Sequence, residues 1–381
     1  MAFSMMQLFL LGALGPRLVD DLDVSPTVLG LTTTVGFGAA AALSPVGGRM
    51  VDRIGPRRCL VALLLVSAVA LALIGSAPGA GFLLAAVALG GLPQALANPA
   101  TNKAIVANVP AERRGSVTGM KQSGVQLGAF AAGLPLAALA GVAGWRGAVW
   151  TAAAAAVVAA VWAARALPAD HPPPKSASAS CAASWAASWV PRGAIAWLAV
   201  FSLLLGCGIA SVNTYLALYG VRGLGLGPTA AGALVAVLGI AGIAGRLGWS
   251  KVAGAPGRAV WLPGGLAAGA VGAALLLAAS AHARPLAWVA AVALGVFAVA
   301  ANAVSMVLVM QRAAAGRTGQ DSALVSAGFF TGFAIGPPLF GLLAAAGQYG
   351  TGWLLVAAEF AGASVVALVW AVRERRSGTP R

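Results

Sequence analysis

At 381 residues, 60% hydrophobic and only 9% charged, with a mean hydropathy of +0.90, the chain is too apolar for a water-soluble domain, where roughly a quarter of residues carry charge. A formal net charge of +15 raises nucleic-acid binding, but the charges fall between long apolar runs instead of forming a basic face, and nucleic acid is excluded as a partner. What remains is a polytopic membrane protein.

Runs of roughly 20 apolar residues, the length that crosses about 30 Å of hydrocarbon, predict spans at 2–19, 26–47, 59–77, 81–107, 116–140, 147–165, 193–219, 228–247, 259–280, 286–311, 322–346 and 352–372. The first run begins without a basic stretch and meets Asp20 with no small-residue cleavage site, so it is read as a span and not as a cleaved signal. It is slightly short for a bilayer, which leaves room for an upstream start. Between the sixth and seventh spans, Leu167 to Pro191 contains HPPPK and a Ser/Ala tract with no periodicity, the composition of a linker. The expected fold class is therefore an all-α membrane protein with twelve transmembrane helices in two pseudo-symmetric six-helix bundles. Residues 1–165 form the first bundle, 166–191 a cytoplasmic linker, and 192–381 the second.

The basic residues alternate in sidedness. Of the 24 Lys and Arg, only Arg17, Arg146, Arg222 and Arg284 fall on one side, and Lys103 and Lys121 lie inside spans. The rest share the other side, which the positive-inside rule makes cytoplasmic, together with both termini. The localisation expected is the inner cell membrane, with the acidic run Asp20, Asp21, Asp23 outside. Cys59, Cys181 and Cys207 show no disulfide framework and no metal spacing, so neither a metal nor a cofactor is expected. Neither His171 nor His282 lies in a span, and no nucleophile and base pair is apparent. The chain is not read as an enzyme.

An internal repeat divides the chain without outside knowledge. A shift of 204 positions lays Asn98 on Asn302, Thr101 on Ser305, Arg113 on Arg317, Gly115 on Gly319, Gly124 on Gly328 and Gly128 on Gly332. The fourth and fifth spans are thus copied as the tenth and eleventh.

Between the second and third spans, Gly47 to Cys59 reads GGRMVDRIGPRRC. Its glycines suit a tight turn, its four arginines hold that turn in the cytoplasm, and Asp52 is its one acid, free to cap a helix N-terminus or pair with an arginine. The order Gly48, Arg49, Asp52, Arg53, Gly55, Arg57, Arg58 resembles the signature loop of the major facilitator superfamily. The resemblance implies parallel halves around a central substrate site, alternating access, and a cytoplasmic latch made by Asp52 and Arg53. Gly48, Gly55 and Arg57 belong to the same gating set. The second copy, Gly245, Arg246, Lys251, Arg258, has no acid, so the latch is expected in the first half only. From Asn98 to Lys121 the chain is also loosely similar to cyanate and nitroimidazole permease-like members.

Polar side chains inside a bilayer are costly and so are candidate functional groups. Lys103 and Lys121 lie about 7 to 8 Å inside helix ends at 1.5 Å per residue. Either they snorkel or they make a positive spot in the central cavity; the repeat places Val307 and Val325 at the equivalent positions, which favours the cavity. Asn98 and Asn102 share one helix face, as do Thr118, Gln122 and Gln126, and Asn213, Tyr215, Tyr219 and Asn302 are their candidates in the second half. Each has interhelical hydrogen bonding as the competing reading. Carboxylates are scarce: Glu359 is the candidate proton carrier, and Asp321 either caps its own helix or joins the gate through Arg53.

The function expected is secondary active transport of a small anionic or organic-acid solute, with multidrug efflux as the alternative. Partners are that solute, co-transported protons and the lipid bilayer, with the protein as a monomer.

Overall fold

In a bilayer the protein must satisfy its own backbone N–H and C=O groups, and a continuous apolar run of about 20 residues does so within itself as a helix. The computed structural model describes residues 1–14, 18, 21–22, 26–170, 190–254, 259–314 and 316–376, and among these there is no strand. In chain order the helices are α1 (Ala2–Ala13), α2 (Pro26–Ile54), α3 (Pro56–Gly75), α4 (Ala80–Leu89), α5 (Gly91–Asn108), α6 (Ala111–Ala131) and α7 (Ala137–Ala166). They continue as α8 (Gly193–Arg222), α9 (Pro228–Ala253), α10 (Leu262–Ala279), α11 (Pro285–Leu294), α12 (Ala300–Arg312), α13 (Thr318–Ala345) and α14 (Tyr349–Arg376). One-turn π segments at Ala132–Leu136 and Gly295–Val299 join α6 to α7 and α11 to α12.

The protein is an all-helical multi-pass membrane protein. Nine continuous helices among the described residues are long and apolar enough to cross a membrane, α4–α5 and α11–α12 each counting as one. The helices outside that set are informative. α1 is short, at 12 residues; α2 and α6 carry the motif charges and Lys121, so the polar groups that make them functional candidates also lower their hydropathy. The border between the fifth and sixth spans is a break at Gly144, whose φ of 70° is a left-handed conformation open to glycine. Large apolar side chains point outward along the helices, as at Trp162 (70% exposed), Ile240 (70%) and Leu342 (73%), which suits lipid and not water.

Helix packing divides the chain into two bodies. The first comprises Met1–Asn108, Gly124–Pro191 and Ala313–Ala327; the second comprises Val109–Ser123, Arg192–Arg312 and Gly328–Arg381. The borders differ from a simple cut at the linker, because the start of α6 packs within the second body and the start of α13 within the first. Linker residues 171–189 lie outside the described residues, as do His171, Lys175, Cys181, Arg258 and Arg17.

Within the first body, Leu10, Leu14, Leu71, Ile74, Leu83 and Trp145 pack into one cluster, and Val51, Cys59, Leu63 and Leu96 into another. Of the acidic run, Asp21 is described. It accepts a hydrogen bond from Trp145 Nε1 at 2.9 Å and pairs with Arg146, and the indole and guanidinium hold its carboxyl below the usual carboxylate range. In the second body the glycine stripe Gly328, Gly332, Gly336 of α13 lies directly on the main chain of α8 at Ala199, Leu203 and Cys207. Small residues that let helix backbones touch are the main packing device available where lipid is as apolar as leucine.

Candidate functional site

The motif is a pair of helix ends. The expected glycine-bent hairpin over Gly47–Cys59 is corrected in one respect: α2 stays helical through Gly47 and Gly48 to Ile54, and α3 begins at Pro56. Only Gly55 makes the turn, with φ 101°. The physical reason is that Gly47 and Gly48 serve packing; a Cβ on Gly48 would lie 2.5 Å from Ala323 Cβ and 2.8 Å from Gly319 O.

That close crossing within the first body brings Asp52 to the first turn of α13. Its Oδ1 accepts the Gly319 N–H at 3.0 Å and its Oδ2 the Gln320 N–H at 2.8 Å. These are N–H groups that a helix cannot satisfy itself, at the end where its dipole favours an anion. The ammonium of Lys103, on α5, sits 3.1 Å from Asp52 Oδ1 and also donates to the carbonyls of Val51 (3.1 Å) and Asp52 (2.9 Å). Lys103, expected to bind substrate, is here paired with Asp52 at the α2–α13 crossing. Asn98 and Asn102 extend the contact, donating to Ser326 Oγ at 3.1 Å and to Ser322 Oγ at 3.0 Å.

Asp321 faces backward: Oδ2 accepts the Ala314 N–H at 3.2 Å, and Oδ1 is 3.7 Å from Arg317. It fastens the loop before α13, while Asp52 caps the helix. Arg53 lies exposed in the last turn of α2.

The second half of the motif does a separate task, anchored by a residue that the sequence does not single out. Asp170, a few residues beyond the end of α7, accepts the N–H of Arg57 at 2.8 Å and of Arg58 at 3.0 Å. It is the N-terminal cap of α3, supplied from far along the chain. Arg57 in turn donates through Nη2 to the Ala164 carbonyl, so the two helix ends hold each other reciprocally. An acid standing just beyond a helix end is the available signal, but its partners are main-chain groups with no sequence signature.

The second body holds Lys121, half-buried on α6, and Gln122, buried beside it. The Gln122 carbonyl accepts a hydrogen bond from Arg246 Nη1 at 2.7 Å. Arg246 is on α9 and only 7% exposed. Here α6 and α9 lie with their backbones in contact: a Cβ on Gly119 would be 2.7 Å from Arg246 O and 3.1 Å from Ser250 Cβ.

The other candidates separate. Tyr219 is buried, with its hydroxyl 2.9 Å from Ser280 Oγ and its ring against Tyr349 and Trp353. Tyr215 stacks on Phe340 with centroids 4.7 Å apart. Asn213 is exposed on α8, and Gln126 is half-buried in the part of α6 that belongs to the first body. Asn302, on α12, is buried, and its Oδ1 has no hydrogen-bond partner among the described residues. Glu359 is half-buried on α14, and its Oε2 is likewise buried without one among them. No group of three or more His, Cys, Asp or Glu that would hold a metal occurs among the described residues.

Among curated proteins the chain is similar to a probable sulfoacetate transporter, SauU, of Cupriavidus necator, 28% identical over 131 residues. That match covers 34% of this chain and 30% of the relative's length. Among solved structures it is similar to the human organic anion transporter MFSD10 (TETRAN), with a TM-score of 0.72 at 15% identity over 97% of both chains. It is also similar to the proton:xylose symporter XylE, with a TM-score of 0.75 at 15% identity over 100% of this chain and 94% of that one. The Escherichia coli fucose:proton symporter FucP matches with a TM-score of 0.72 at 15% identity over 97% of both chains. At such identities these likenesses concern fold alone. The family model described as Major Facilitator Superfamily matches residues 1–323, and with that match across most of its length the chain belongs to this transporter superfamily.

Proposed function

We propose that the protein moves a small organic anion across the cytoplasmic membrane by alternating access, with both termini in the cytoplasm. The observation that carries the reading is the Asp52 carboxylate, which holds the first turn of α13 through two main-chain N–H groups while neutralising Lys103. A charge-assisted contact of this kind is strong enough to define a state, yet it joins two helix ends through one side chain and so can open as a unit. Asp52 and Lys103 are its working parts, Gly48 and Gly319 give it room, and Gly55 and Arg57 fix α3 to α7.

The substrate class follows from charge. With Lys103 engaged by Asp52, Lys121 is the lysine assigned to substrate. A relative named for sulfoacetate transport supports an organic acid. Glu359, with a buried oxygen lacking a partner on α14, is the group assigned to carry a coupled proton.

The test is uptake into proteoliposomes of sulfoacetate, acetate and an uncharged sugar, with and without an imposed proton gradient, for wild type and Lys121→Gln. Anion uptake that falls at least tenfold in the variant is the expected result. Sugar uptake without anion uptake would overturn the reading.

A further inference from the structure

Arg246, the arginine of the second motif copy, is a buried cation. It lies near the end of α9, about two turns in, and is only 7% exposed. Nε donates to the Val299 carbonyl at 3.4 Å and Nη1 to the Gln122 carbonyl at 2.7 Å. A guanidinium has five N–H donors, so three are left without a partner among the described residues. No carboxylate of the described residues lies within 4.0 Å of it. A buried charge with only main-chain dipoles to balance it is expensive to keep.

Its anchoring supplies a second observation. Two main-chain bonds, to Gln122 on α6 and to Val299 at the end of the π segment before α12, fix the plane of the guanidinium. Buried polar groups are ordinarily satisfied; open N–H donors on a guanidinium held in place are what an acceptor group from outside the chain would fill. The planar fork of arginine suits two oxygens of one carboxylate or sulfonate group.

We propose that Arg246, held by the carbonyls of Gln122 and Val299, binds the carboxylate or sulfonate group of the transported organic acid. This rests on the organic-anion reading above and adds the residue that grips the anionic head. Lys121 then contributes attraction, while Arg246 contributes geometry. The arrangement is contained in the second body and needs no residue of the first.

The experiment uses the purified full-length chain in detergent, with sulfoacetate, acetate and methanesulfonate as probes and sodium chloride at equal ionic strength as control. Binding to the folded state raises the melting temperature, and the shift gives an affinity for wild type, R246Q and R246K. R246Q is expected to bind sulfoacetate at least tenfold more weakly, and R246K to fall between. Without any probe, R246Q is expected to melt at or above the wild-type temperature, because an uncompensated buried charge has been removed; an arginine that merely staples helices would give a fall. Equal affinity in R246Q and wild type overturns the proposal and leaves the organic-anion reading standing. No stabilisation of wild type by any of the three probes overturns both. If R246Q misfolds or melts lower, phenylglyoxal labelling of wild type decides: an adduct at Arg246 that sulfoacetate suppresses supports the proposal. An adduct formed equally with and without sulfoacetate, or none at all, overturns it.

Discussion

Asp52 and Gly319, far apart in sequence, are joined by a hydrogen bond of 3.0 Å from the glycine N–H to the aspartate Oδ1. The bond joins the last turn of α2 to the first turn of α13, and the close approach of Gly48 to Gly319 permits it.

Replacing Asp52 by Asn keeps the shape and removes the charge. The amide oxygen can accept one N–H, but its other end is a donor facing the Gln320 N–H, and Lys103 loses its counter-charge. Hydrogen bonds to charged groups are worth about 1.5–3 kcal/mol, so the latched state should lose roughly ten- to a hundredfold in population. Transport in proteoliposomes is expected to fall at least tenfold with membrane insertion unchanged. Undiminished rates would remove the latch from the mechanism.

The glycines give a test that leaves every charge in place. On Gly319 a Cβ would sit 2.6 Å from Asp52 Oδ1 and 2.9 Å from Gly48 O, whereas on Gly232 of α9 it meets nothing within 4 Å. Gly319→Ala is expected to lower both melting temperature and transport, because the new methyl would displace the Asp52 carboxylate from its N–H partners and press on the Gly48 carbonyl, a main-chain atom that cannot step aside. Gly232→Ala, a helical position with open space, should be neutral or stabilise by up to about 1 kcal/mol. Equal behaviour of the two variants in a thermal melt would show that the α2–α13 crossing is looser than these distances imply.

Hydropathy carries the all-helical class and the nine spans seen as long apolar helices among the described residues, with the break between the fifth and sixth; the lone acid of the motif marks Asp52 as a candidate. The partners of Asp52 are not legible in the same way, because the Gly319 and Gln320 groups that it binds are main-chain N–H groups, present at every non-proline residue. Lys103 shows the same limit: its depth in the helix is readable, but whether it faces solute or a carboxylate depends on how α5 lies against α2. Asp170 has the look of linker composition, although it caps α3. The helical state of Gly47 and Gly48 is hidden because glycine marks turns and close packing alike.

The two lysines, alike in sequence, should behave differently. Lys103→Gln is expected to impair transport much as Asp52→Asn does. The double variant should be little worse than either single one, since residues in one ion pair are non-additive. Lys121→Gln should instead weaken substrate binding, raising the KM for sulfoacetate at least tenfold, and its effect should multiply with that of Asp52→Asn. Additive losses for the Asp52 and Lys103 pair would mean that their 3.1 Å contact carries no coupling.

Asp170 and the segment after it make the last contrast. Asp170→Ala leaves the Arg57 and Arg58 N–H groups at the start of α3 uncapped, and losing a cap costs about 1 kcal/mol. A modest fall in melting temperature is expected, with transport reduced through Arg57 and not through substrate affinity. Shortening the Ser- and Ala-rich stretch from Lys175 onward should do neither, because its composition suits a spacer. The two are compared by melting temperature and by the KM for sulfoacetate in the same membranes. A large loss of affinity on shortening the stretch, with Asp170 intact and the protein folded, would make it part of the binding machinery and not a tether.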